Sequence, residues 1–155
     1  MDTFSNTLYS SLIEALMNDT QYIKSSNRGK LVGLRNYAEV LVRKILNIGN
    51  NQKLMLGQIR IDSDNLAVVK SLNNLGKELS DELIRITKNI NVLCREGAHT
   101  QHVDEFSNEE VESVEDAILE LYALMFIRHF QNIKISIYSD PRVLRLFSLL
   151  PPVMR

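Results

Sequence analysis

Apolar residues recur along this chain at steps of three and four, the spacing of helices with one buried face. Phe4, Leu8, Leu12, Ala15 and Leu16 predict a first helix that ends near residues 18–20, and the run from Ser25 to Gly29 reads as a break. Leu34, Ala38, Leu41, Ile45 and Ile48 form a second stripe, stopped at Gly49-Asn50-Asn51. On that helix Arg35 and Glu39 stand four apart and can pair, in the weaker of the two orders. Lys53 to Ile61 is expected to make a short helical turn. Asp62-Ser63-Asp64 then offers caps in front of Leu66, Val69 and Leu72, with Gly76 ending that piece.

Ser80 is placed to cap the next helix. Asp81 and Glu82 would sit in its positive first turn, and Leu83, Ile86, Ile90 and Leu93 on its buried stripe. Ser107-Asn108-Glu109-Glu110 has the form of a capping box, followed by Val111, Val114, Ile118, Leu121 and Met125 at core spacing. The tail changes character: Ile133, Ile135 and Ile137 alternate with polar residues as a short strand or extended end would. Asp140-Pro141 can then open a small helix carrying Val143, Leu144, Phe147 and Leu150. The pattern predicts an all-α fold: an antiparallel bundle of four to five helices with a short C-terminal helix. Its long members fall near 31–48, 80–95 and 108–132.

Composition narrows the class. The 155 residues make one domain-sized unit, long enough to bury a core without staples. Hydrophobic content of 45% and charged content of 24% are those of a globular protein. Eighteen basic and nineteen acidic residues give a net charge of −1, which argues against a protein that coats nucleic acid. A local basic spot remains compatible with RNA chemistry. A single cysteine, Cys94, precludes an intramolecular disulfide and a thiol-rich metal site. The opening residues lack the basic start and apolar core of a secretion signal, and no apolar run is long enough to span a membrane. The expectation is a cytoplasmic protein with no membrane association and no cofactor.

Candidate chemistry concentrates in residues 89–102, which hold Arg95, His99 and His102. If the helix runs that far, the three fall within an arc of roughly 60°. A guanidinium can fork onto phosphate oxygens, and an imidazole can move a proton near neutral pH. Against this, Arg95 can be a solvated cation at a helix C-terminus, and the histidines a cap and a loop residue. His129 reads as a half-buried structural histidine. Cys94 points about 100° away from Arg95, toward the Leu93 side, as a buried small hydrophobe would. There is no His-Glu-x-x-His and no Gly-rich phosphate loop, so no metal or nucleotide cradle is expected.

The stretch from Leu34 to Leu46, then Arg95-Glu96-Gly97-Ala98-His99, then an acidic capped helix from Ser107 resembles the HEPN superfamily of small helical domains. It is most similar to the branch found with prokaryotic restriction and abortive-infection systems. The resemblance covers residues 25–133 as a core, leaving 134–155 as a C-terminal extension. It implies a homodimer. In active members, it implies an arginine and a following histidine that cut RNA without a metal. On this chain that assigns charge stabilisation to Arg95 and proton transfer to His102, with His99 assisting. Glu96 departs from the family pattern by placing a negative charge beside the phosphate position. Gly97 weakens the helix that would aim the pair, by about 1 kcal/mol relative to alanine.

Two functions are therefore expected. The first is a dimeric interaction or regulatory module in a defence-type system, docking a protein partner through its dimer surface or through Leu144, Phe147 and Leu150. The alternative is a metal-independent endoribonuclease of defence or toxin–antitoxin type, with RNA as substrate.

Overall fold

The computed structural model describes residues 26–98, 106–132 and 145, apart from the side chains of 95–98 and 129–132. Among the described residues the chain is all-helical, with no strand. It forms α1 (Asn27–Leu46), a short 3-10 turn at Leu56–Gln58, α2 (Leu66–Leu75), α3 (Lys77–Ala98) and α4 (Asn108–Asn132). The expected first helix, the alternating isoleucines and the C-terminal helix lie outside this set, except that Arg145 is helical and exposed.

Three long helices pack against one another around a single core. Asn27 Nδ2 donates to the Phe106 carbonyl at 2.7 Å and to Asn108 Oδ1 at 3.1 Å, joining the starts of α1 and α4. At the opposite end Arg128 donates to the Lys44 carbonyl at 3.5 Å. These contacts make α1 and α4 parallel. Arg85 of α3 reaches Glu120 of α4, and later α3 residues line a groove with earlier α4 residues, so α3 runs the other way. Successive long helices thus alternate in direction.

The predicted stripes are buried together: Leu34, Ala38, Leu41 and Ile45 from α1, Leu83, Ile86 and Ile90 from α3, and Val114, Ile118 and Leu121 from α4. Cys94 joins them at 0% exposure. Ser107 also behaves as expected. Its Oγ accepts from the Glu110 N–H at 3.2 Å, while its own N–H donates to Glu110 Oε2 at 2.8 Å.

Four local expectations need correction. Ser80 does not cap α3, which begins three residues earlier at Lys77, immediately after Gly76. Gly76 turns the corner at φ 95°, a conformation that glycine adopts readily. Ser80 is buried inside the helix, and its hydroxyl donates to the Leu72 carbonyl at 2.6 Å, tying α3 to the end of α2. The cap of α2 is Asn65, one residue past the predicted cluster, whose side chain accepts from the Val68 N–H.

The stripe of α2 shifts as well. Val68 and Leu72 are buried, whereas Leu66 is 81% exposed. A helix of three turns resting on its neighbours through one narrow face leaves its first residue facing water. Finally, α1 stops at Asn47 in the left-handed region, before Gly49. Asn47 and Ile48 donate their N–H groups to the Lys44 and Arg43 carbonyls, the Schellman pattern, with Ile48 buried against the core. Arg43 clamps the following loop by donating to the carbonyls of Gly49 and Gln52.

Candidate functional site

Periodicity carries α3 through Arg95 to Ala98, so the arginine stands in its last turn. The side chain of Arg95 and all of His99 and His102 lie outside the described residues, as do Leu144, Phe147 and Leu150. His129 is a helical position of α4 whose side chain is likewise not described. The structure therefore fixes the frame of the expected site. Residues 99–105 link the end of α3 to the start of α4, and Asn27 brings the start of α1 to that same end.

The frame carries two cations beyond the residues of the expected site. The Arg28 guanidinium lies 5.5 Å from the centroid of the Phe106 ring, a cation–π arrangement at the anchor of the 99–105 link. Arg35, paired with Glu39 at 3.7 Å as expected, is close enough to Cys94 for its charge to act on the thiol. Burial dominates there: desolvation pushes the Cys94 thiol up to about 12, against the weaker pull of Arg35. A thiol so held is not a nucleophile near neutral pH, in keeping with its reading as a core residue.

Along the same helix, Lys88 stands seven positions before Arg95, within about 20° of it around the axis. Lys88 and Val92 form one wall of a groove of about 660 Å³ between α3 and α4. Its other wall is a row of carboxylates, Glu109, Glu112, Asp116 and Glu120, at steps of three and four on α4. Glu120 is held by Arg85, which also pairs with Glu82 at 2.9 Å. Glu109, Glu112 and Asp116 form no ion pair with any described residue. Val92 is 53% exposed, an apolar patch beside the acidic row.

Negative charge accumulates beyond the groove wall. The carboxyl of Glu115 is raised above its ordinary range, first by desolvation and then by Glu112 and Asp116, with Lys30 opposing. The row could have been found in the sequence from its three- and four-residue spacing. The groove could not, because its other wall comes from another helix. Among the described residues no three His, Cys, Asp or Glu side chains come together in a way that would hold a metal ion. No described helix is long and apolar enough to cross a membrane.

Comparison with family models, curated proteins and solved structures gives no match to this chain.

Proposed function

We propose that this chain is a dimeric helical interaction module of HEPN type, serving a prokaryotic defence-type system. The observation that carries the reading is the groove between α3 and α4. Three carboxylates without ion-pair partners among the described residues face a wall of Lys88 and the exposed Val92, on the side of α3 in register with Arg95. A polyanion such as RNA is repelled along such a wall, whereas a protein surface can match it. Glu96 adds to the same sign. Light scattering on the full chain at micromolar concentration should give twice the 17.8 kDa chain mass, and a monomer throughout would overturn the dimeric module.

The second reading is the metal-independent endoribonuclease, favoured by the positions of Arg28 and Arg35 around the end of α3 that carries Arg95. There Arg95 would stabilise charge on the phosphate while His102 moves the proton of the 2′-hydroxyl or leaving group, assisted by His99. RNA cutting in excess chelator, lost by about 10²-fold or more in both Arg95→Ala and His102→Ala at matched thermal stability, is its expected signature. Cutting that survives both changes, or that needs an added divalent metal, removes it.

A further inference from the structure

We infer that the outer face of α2, centred on Leu66, is the surface through which two copies of this chain pair about a twofold axis. The inference rests on the dimeric-module reading and gives that dimer a face. Among the described residues, the exposed large apolar side chains Val32, Val92 and Ile127 stand singly on α1, α3 and α4. The other three, Met55 at 44%, Ile61 at 70% and Leu66 at 81%, fall in one short stretch of chain. Apolar groups that a fold gathers and leaves in water mark a contact surface.

The stretch is folded back on itself. Asn65 Nδ2 donates to the Lys53 carbonyl at 3.1 Å and to Gln58 Oε1 at 3.2 Å, and that oxygen also accepts from the Met55 N–H at 3.1 Å. The Asn65 N–H in turn donates to Ser63 Oγ at 3.2 Å. These bonds hold the loop against the start of α2, so little further order is lost when its apolar side chains are covered. Within α2 only Val68 and Leu72 are buried, and the opposite face meets water.

Charge selects the occupant. Asp64 stands three residues before Ala67 and Lys70 three residues after it. Both are exposed, and neither forms an ion pair with any described residue. A twofold axis crossing α2 at the level of Ala67 sets two copies of the helix antiparallel and exchanges these positions. Asp64 of each copy then comes to the level of Lys70 of the other. Leu66, one turn before Lys70 on the same face, meets its own copy beside the axis. Arg60 and Asp62 pair with each other at 3.5 Å, so from residue 53 to 70 only Lys53 is left without an opposite charge. A face that carries its own complement fits a second copy of this chain.

The test is the mass of the full chain by analytical ultracentrifugation across micromolar concentrations, on variants whose helical circular dichroism matches the parent. Leu66→Glu should raise the dimer Kd by about tenfold or more. Lys70→Glu and Asp64→Lys should each raise it by about tenfold, since symmetry breaks two contacts at once. An equimolar mixture of those two charge variants should recover a dimer near parent affinity, because the mixed pair restores opposite charges at both contacts. Val92→Glu, on α3, should stay within about twofold of the parent.

Charge variants that fail to recover on mixing, or equal losses in Leu66→Glu and Val92→Glu, overturn the assignment. So does a dimer indifferent to Leu66→Glu. In that case a lowered Tm gives the face to another segment of the same chain, and an unchanged Tm gives it to a different molecule. A dimer intact in every variant removes this inference alone, whereas a parent chain that is monomeric throughout removes the module reading with it.

Discussion

The two halves of α4 show how one helix can serve two demands. From Asn108 to Glu120 it carries six carboxylates and no cation, and it buries only a narrow strip led by Val111, Val114 and Ile118. From Leu121 to Phe126 it carries no charge, and Leu121, Tyr122, Leu124, Met125 and Phe126 are all buried. The stretch from Leu121 to Phe126 is enclosed by its neighbours around most of its circumference, while the first half stands beside an open groove. The first half can accept acids partly because its start is the positive end of the helix and is closed by a reciprocal cap. The difference separates a part that holds the fold from a part whose charged side chains stay at the surface.

Substitutions can break or sharpen that division. Leu121→Ala should destabilise the protein by about 2–5 kcal/mol in urea unfolding, because it opens a cavity at a site with 0% exposure. Asp116→Ala, one turn earlier on the exposed face, should stay within about 0.5 kcal/mol. Similar losses for the two would erase the distinction between the halves. Ser107→Ala should fall between them, at about 1 kcal/mol, since it removes one arm of the cap at the start of the acidic half.

The smallest effect concerns Glu115. Its folded carboxyl binds a proton more readily than the unfolded one, so deprotonation above the ordinary carboxylate range costs stability in the native state. Glu115→Gln should therefore raise the Tm slightly at pH 7. The gain should vanish as pH falls below the range in which the unfolded carboxyl titrates, where both forms are neutral. A gain that persists unchanged in acid would mean that charge is not its cause.

The long stripes of α1, α3 and α4 were legible in the sequence because burial imposes a period on them. The capping box at Ser107 was legible because both of its partners lie within four residues. Ser80 takes the form of a cap in the sequence for a related reason. A serine followed by two acids has the local form of a cap, and only a carbonyl from another helix, that of Leu72, reveals its role. The sequence points to Gly49 rather than Asn47 because glycine is the commoner left-handed stop, although asparagine tolerates the same backbone. The site divides in the same way. The carboxylate row follows from helical spacing, but the groove requires knowing which helix lies beside it. Arg28 meets the candidate end at Phe106, 78 positions away in the chain.

Cys94 has a practical consequence. It is the chain's one thiol, lies at 0% exposure in α3, and is held protonated by its surroundings. A thiol-modifying reagent in solution can therefore reach it only when the helices part, and the modification rate under native conditions counts those openings. The protein carries a built-in clock for its own core, readable without an added label.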